Sequence, residues 1–354
     1  MFGVLDRYIG KNVLLTVIVV TVLLTFLTTL ITFVDKLRYI GRGSVDFLFL
    51  TKYIALQIPS ILVLFFPIAV LIGSVVALGN MAKSSELIVF QSVGISRSGI
   101  VISSLKILFP VILIVILIGE FLVPKISQYA EAKLNYAESN GAISLTHLGL
   151  WLREGDSFIG INRMSSDGSL QRIVKYDFKD GELLAVSFAE TARYENNSWQ
   201  MYDVKHLMYK ENLVQTSNIE KEQWNLNLTP DRVGVVREKS INLSILGYID
   251  YINYLEENNQ DASKYKLELY GKCLAPFNIV VMLLLGASTV FGPLRQSSMG
   301  TRVLTGIGLG FMFYIANRVG VPLSLVYGIP PIIGASAPTV IFLLFALYLL
   351  GRKA

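Results

Sequence analysis

Cysteine and histidine are almost missing from this chain, and charged residues are few. The one cysteine, Cys273, forms no internal disulfide and no thiolate metal cluster. It stands beside an apolar run, and its expected place is in buried packing. The two histidines, His147 and His206, lie far apart and without HExxH spacing, which argues against a zinc hydrolase. The phosphate-cradling GxxxxGK[ST] pattern does not occur: Gly271–Lys272 runs into Cys273, and no glycine lies five residues before Gly271. A GxSxG nucleophile elbow is missing as well. Charged residues make up 16% of the chain, against about 25% in soluble domains.

What the chain has instead is apolar length. Hydrophobic residues make up 53% of it and the mean hydropathy is +0.55. The charges are unevenly divided. From Lys125 to Tyr270 there are 16 Lys/Arg and 21 Asp/Glu, a net of −5, while the remainder holds 15 against 5, a net of +10. That is an acidic, water-compatible insert within a basic membrane protein, and it excludes a soluble enzyme, a fibrous protein and a disordered chain. The cations outside the insert sit at the ends of apolar runs, where topology places them, so no nucleic-acid partner is implied.

Six apolar runs are long enough to cross about 30 Å of hydrocarbon. They are Val13–Val34, Tyr53–Ala82 with Pro59 and Pro67, about Gly99–Val123, Cys273–Leu294, Val303 to about Val321, and Ile332–Leu350. The first is too long for a signal-peptide core and no small-residue cleavage site follows it. Six spans put both termini on one side. Arg7, Lys11, Lys83, Arg97, Lys106, Arg295, Arg302, Arg352 and Lys353 fall on that side, and Lys36, Arg38, Arg42, Lys52, Lys272 and Arg318 on the other. Nine cations against six predicts cytoplasmic termini and an exported insert.

The fold class expected is membrane α-helical, with six transmembrane helices and an all-β jelly roll inserted between helices 3 and 4. Residues 1–126 hold spans one to three, 127–270 the insert with flanking helices, and 271–354 spans four to six. Strands are expected at Phe158–Ile161, Arg172–Tyr176, Leu183–Val186 and Trp199–Tyr202, separated by turn residues such as Ser166–Gly168, Lys179–Gly181 and Glu195–Asn197. The flanks, about Ser127–Asn140 and Ser244–Tyr270, read as helical.

Three features carry functional information. Between spans two and three, at about 84–94, a short helix is expected, with Ser84 or Ser85 as cap, Glu86 at its N-terminus and Gly94 at its end. Its single acid and several apolar residues suit either docking into a groove of a partner ATPase or lying on lipid headgroups. The loop after span one carries Lys36, Arg38, Arg42 and Lys52 on the translocated side, against the insertion bias, and an anionic ligand would account for them. Thr21, Thr25, Thr28 and Thr32 follow i, i+4, i+7, i+11 spacing on span one and lead to Lys36. This hydroxyl face either lines a cavity or packs with each hydroxyl bonded to its own helix. Glu120 and Arg318, near the outer ends of spans three and five, either snorkel to the interface or line a substrate path. Gly73, Gly79, Gly306, Gly308 and Gly310 permit close helix approach.

Several stretches, spread along the whole chain, carry a resemblance. They are Met1-Phe2-Gly3-Val4-Leu5-Asp6-Arg7-Tyr8-Ile9-Gly10-Lys11, Ser85-Glu86-Leu87, Asn227-Leu228-Thr229-Pro230-Asp231, Phe291-Gly292-Pro293-Leu294-Arg295 and Leu325-Val326-Tyr327-Gly328-Ile329-Pro330-Pro331-Ile332-Ile333-Gly334. Together and in this order they resemble the LptF/LptG family of lipopolysaccharide-export permeases. The opening and the last stretch are closer to its LptG branch than to LptF.

The resemblance implies a multi-pass inner-membrane subunit, with cytoplasmic termini and a periplasmic insert, that is not itself an ATPase. It would pair with LptF, dock a dimer of the ATPase LptB, associate with LptC beside span one, and deliver lipopolysaccharide to a periplasmic bridge of LptA. ATP would be bound by the partner, and no cofactor by this chain. Glu86, Leu87 and Phe90 would form the ATPase contact, with Glu86 at its centre. Lys36, Arg38 and Arg42 would meet lipid A phosphates. Thr28, Thr32 and Arg318 fall along the gates formed by spans one and five. The family's further basic contacts early in the insert fall here at Glu131 and Leu134, with Lys133 between them. The competing reading is a structural or regulatory protein like the cell-division or lipoprotein-release permeases, in which four spans and an insert after span one are expected. A membrane-embedded enzyme lacks paired catalytic groups in the spans.

Overall fold

The computed structural model describes residues 3–138, 150–154, 156–164, 169–179, 182–195, 198–210, 213–224, 243–291 and 299–351. His147, the turn residues 166–168, 180–181 and 196–197, the Asn227–Asp231 stretch, Gly292–Arg295, Arg352 and Lys353 lie outside these.

Six helical stretches are long and apolar enough to cross a membrane: Val4–Tyr39, Phe47–Lys83, Arg97–Leu134, Ser263–Phe291, Gly300–Val326 and Pro331–Gly351. The helices are α1 (Val4–Lys36), α2 (Phe47–Lys83), α3 (Glu86–Ser92), α4 (Arg97–Leu117) and α5 (Val123–Glu138). After the strands come α6 (Ile245–Glu257), α7 (Ser263–Phe291), α8 (Met299–Ile315), α9 (Val321–Val326) and α10 (Pro331–Gly351). The helices overrun the apolar runs read from the sequence. Asp35 and Lys36 are still helical, a 3-10 turn carries the chain to Tyr39, and α2 begins before Lys52. Charge ends a hydrophobic run, but it does not end a backbone hydrogen-bond ladder. Pro59 and Pro67 lie within α2, as expected.

Two π-helical turns interrupt these helices. One, Ile118–Leu122, joins α4 to α5, and the other, Ala316–Gly320, joins α8 to α9. Each holds one of the two ionisable residues noted near span ends, Glu120 and Arg318. Single π turns inside α-helices recur at functional positions because they re-aim side chains and free a carbonyl. In the second, the Asn317 Nδ2 donates to the Phe313 carbonyl at 3.0 Å.

The helices pack by close van der Waals fit, since lipid tails are as apolar as their side chains. One core joins Ile9, Val13 and Val17 of α1 to Phe66, Val70 and Leu78 of α2, Leu87 of α3, Ile100, Leu108 and Ile112 of α4, and Ile279, Leu283 and Val290 of α7. A Cβ on Gly10 would sit 2.2 Å from Ile107 Cγ1, and one on Gly73 would sit 2.7 Å from the Val17 Cα. Those two glycines set the approach of α1 to α4 and of α2 to α1. Gly306 and Gly310 meet Val75 and Leu71 of α2, whereas Gly308 faces open space. Cys273, expected in buried packing, is exposed on α7. That position lies in the first half of the helix, ahead of the buried run from Ile279 to Phe291.

The chain divides into two units, one of residues 1–38, 51–127 and 263–354, the other of 39–50 and 128–262. The second unit carries the antiparallel β insert. Its strands are β1 (Leu150–Glu154), β2 (Ser157–Met164), β3 (Leu170–Lys179), β4 (Glu182–Glu195), β5 (Ser198–Lys210) and β6 (Leu213–Trp224), in the order β1-β2-β3-β4-β5-β6. The four expected strands are β2 to β5, all longer than foreseen. The sheet is a meander with a crease. Pairing lapses at Arg172 opposite Glu190 and again at Glu190 opposite Asp203, and Arg172 and Asp203 have φ of 53° and 55°. Across that line the buried positions step by three, from Leu170 to Ile173, Ala189 to Ala192 and Met201 to Val204. A phase slip shared by neighbouring strands bends the sheet, so that Ile159, Ile161, Ile173, Trp199, Met201 and Trp224 share one core.

Candidate functional site

The segment between spans two and three is built as a short bracket. Ser85 takes a left-handed conformation, φ 63°, uncommon for a residue with a Cβ, and turns the chain out of α2 into α3. It makes no side-chain cap, unlike the expectation for a serine there. The Ser84 Oγ instead donates to Glu86 Oε1 at 2.8 Å. At the other end Gly94, φ 94°, allows Ile95 N to reach the Phe90 carbonyl at 3.0 Å. Ser96 then caps α4, its Oγ accepting from Gly99 N at 3.0 Å.

The side chains of α3 divide into two sets. Leu87 is buried in the core shared by α1, α2, α4 and α7, and Phe90 packs on the same core. Phe90 also meets the Tyr8 ring edge-on, centroids 6.3 Å apart. Leu87 and Phe90 therefore anchor the helix. The apolar side chains displayed are Ile88 and Val89 of the helix and Val93 at its C-cap, which are half to three-quarters exposed. Glu86 is half-buried, and its Oε2 accepts a hydrogen bond from the Tyr8 hydroxyl at 3.0 Å. The same end of α1 is tied to α4, where Asp6 accepts from Ser103 Oγ and pairs with Lys106 Nζ at 3.1 Å. Lys106, counted from the sequence among the cations on the termini's side, thus has a helix-to-helix partner.

At the other end of α1, Arg38 pairs loosely with Asp35 at 3.6 Å, with both side chains more than half exposed. Lys36 Nζ lies 5.9 Å from the Tyr53 ring centroid. In the second unit, Arg42 lies over Tyr39 at 5.2 Å and Lys133 over Tyr129 at 4.8 Å, while Leu134 is buried and Glu131 exposed. Along the hydroxyl face, Thr21 donates to the Val17 carbonyl at 2.7 Å and Thr32 to the Thr28 carbonyl at 2.8 Å. Both are self-bonded, as the packing alternative requires. The Thr25 Oγ1 differs: it is buried and has no hydrogen-bond partner among the described residues.

Glu120 and Arg318 part company. Glu120 forms an ion pair with Lys272 of α7 at 2.9 Å, the two side chains only 16% and 25% exposed. It is a bolt between helices. Arg318 is exposed and lines a cavity of about 350 Å³ with Asn317, Asn278, Glu268, Phe313 and Met282. The Thr339 Oγ1 donates to Asn278 Oδ1 at 2.6 Å in its wall.

The β insert holds a polar cluster that no motif announced. The Ser187 Oγ and His206 Nδ1 lie 2.7 Å apart, and His206 Nε2 lies 2.8 Å from Glu222 Oε2, which also accepts from Trp224 Nε1 at 2.9 Å. Lys175 pairs with Asp177 at 2.9 Å beside them, and the whole lines a cavity of about 430 Å³. Ser187 pairs across with both Lys175 and His206, so strand register brings Lys175, Ser187 and His206 together.

The family model for the lipopolysaccharide export system permease LptF/LptG matches residues 7–352. The lipopolysaccharide export system permease protein LptG of Escherichia coli (strain K12) is 39% identical over 357 residues, covering 100% of this chain and 99% of that protein. The LptG protein of Haemophilus influenzae (strain ATCC 51907 / DSM 11121 / KW20 / Rd) is 36% identical over 356 residues, with the same coverage. Six apolar helices, a β insert after the third and full-length likeness to LptG permeases agree: this chain belongs to the LptF/LptG family of lipopolysaccharide export permeases, a multi-pass protein of the inner membrane.

Proposed function

We propose that the chain is the LptG-type half of an ATP-driven lipopolysaccharide extractor, its termini and α3 cytoplasmic and its β insert periplasmic. A separate ATPase, of the LptB kind, docks on α3, and an LptF-type permease completes the passage. LptC and the LptA bridge receive the lipid on the periplasmic side. The observation that carries the coupling role is the division of α3 into an anchored face, Leu87 and Phe90, and a displayed face, Ile88, Val89 and the C-cap Val93, with Glu86 beside it. A helix built so is gripped by its own protein and offers apolar surface to another.

Moving an acylated lipid through water costs about 0.8 kcal/mol per exposed CH₂, so the passage must stay apolar for the chains and cationic at its rim for the phosphates. Lys36 is the last residue of α1 and Arg38 follows two positions on, and their ammonium and guanidinium groups supply that rim with charge-assisted hydrogen bonds to phosphate oxygens; Arg42, in the segment that follows, offers the same chemistry. Thr28 and Thr32 lie below them on α1, and Arg318 lines its cavity on the span-five side. ATP-driven closure of the two permeases expels the lipid towards the insert. In proteoliposomes holding the whole complex, Glu86→Ala leaves insertion and ATP hydrolysis in place and lowers lipid release per ATP by about tenfold, the scale of one charge-assisted hydrogen bond. Release at the wild-type ratio overturns the coupling role of Glu86.

A further inference from the structure

The geometry points to Tyr8 as a positioning residue that aims Glu86 and carries the motion of α3 directly into α1, a reading that rests on α3 being the ATPase contact. A tyrosine at a span end has an ordinary use, its ring in the interface and its hydroxyl towards the headgroups. Tyr8 is half exposed, yet its hydroxyl is turned on the Glu86 carboxylate at 3.0 Å and its ring on Phe90. It therefore grips both the N-terminal and the C-terminal half of a seven-residue helix.

The rest of α1's first turns make that grip rigid. Ile9, next in sequence, and Leu87 of α3 belong to the same buried core. Asp6, one half-turn away, is held by Ser103 and Lys106 of α4. Gly10 brings α1 so close to Ile107 that no side chain fits between them. The first two turns of α1, the bracket helix and the start of α4 are consequently one solid body. Displacement of α3 by a docked partner cannot be absorbed locally, and α1, 33 residues long with its start in this body, runs unbroken to Lys36. The helix whose far end bears the phosphate-facing cations is thus pushed from its near end. Docking of a partner over Glu86 also removes water from the Tyr8–Glu86 hydrogen bond, which strengthens it when force is transmitted.

The test compares Tyr8→Phe, Glu86→Gln and the double variant in the full complex in proteoliposomes, reading ATP hydrolysis and lipopolysaccharide release separately. Tyr8→Phe keeps the ring contact with Phe90 and loses only the hydroxyl, so assembly and thermal stability stay as wild type. The expected result is ATP hydrolysis within about twofold of wild type and lipid release per ATP lower by about tenfold, with the double variant no worse than Glu86→Gln alone. If Glu86→Gln uncouples and Tyr8→Phe does not, or if the two losses multiply, the positioning role is overturned while α3 remains the contact. If Glu86→Gln itself leaves release per ATP unchanged, the coupling role of Glu86 and this inference fail together.

Discussion

Replacing Glu120 by Gln removes one half of the bolt between the π turn of span three and α7. The carboxylate and the Lys272 ammonium are 2.9 Å apart and mostly shielded, with 16% and 25% of their side chains exposed. At an effective dielectric constant of about 20, charges at that distance attract by about 6 kcal/mol. Desolvation of both ions offsets most of this, so the intact pair adds little to stability. The single variant is a different case, because it leaves Lys272 shielded without its counter-charge. Breaking such a pair costs about 3 kcal/mol, discounted for the exposed quarter of the lysine. The assay is thermal unfolding of the purified complex in mild detergent. Glu120→Gln is expected to lower the melting temperature by about 5 °C. Combining Glu120→Leu with Lys272→Met recovers most of it, since two apolar groups need no counter-charge. A melting temperature unchanged by Glu120→Gln, or a double variant less stable than the single, refutes the bolt.

Three further outcomes follow from the same geometry. Gly73→Leu drives a side chain into the Val17 backbone, and the complex should lose assembly, checked by co-purification; normal yield would show that α1 and α2 are not held so closely. His206→Ala deprives Ser187 and Glu222 of a shared partner and should destabilise the β insert by about 2 kcal/mol, read by protease resistance of that segment; unchanged resistance contradicts a structural cluster. Reversing Lys36, Arg38 and Arg42 to Glu should abolish photo-crosslinking to lipopolysaccharide while ATP hydrolysis persists, and undiminished crosslinking removes the rim role.

Much of the frame was legible because membranes impose coarse rules: apolar length gives spans, and cation placement gives a side. The same rules misplaced the span ends, since Asp35 and Lys272 border apolar runs without ending helices. The strand β6, Leu213–Trp224, was missed because its sequence, LVQTSNIEKEQW, is polar and shows no strict alternation. The phase slip at the crease, marked by Arg172 and Asp203, breaks the period of two within single strands. Of the segment between spans two and three, the helix and Glu86 were readable, but not which apolar residues face inward. That division depends on a core that α1, α2, α4 and α7 bring together from distant parts of the chain. Tyr8 and Glu86, like Glu120 and Lys272, are distant in sequence, and pattern alone does not join them.

On the proposed function, this chain supplies the passage and another protein the nucleotide chemistry. This division is tested most directly by purifying the chain alone and with its co-purifying partners in mild detergent, measuring ATP hydrolysis of each and identifying bound lipid by mass spectrometry. The expected result is no hydrolysis by the chain alone, and hydrolysis together with bound lipopolysaccharide in the complex. ATP cleavage by the isolated chain, or a complex that carries no lipopolysaccharide, would contradict it.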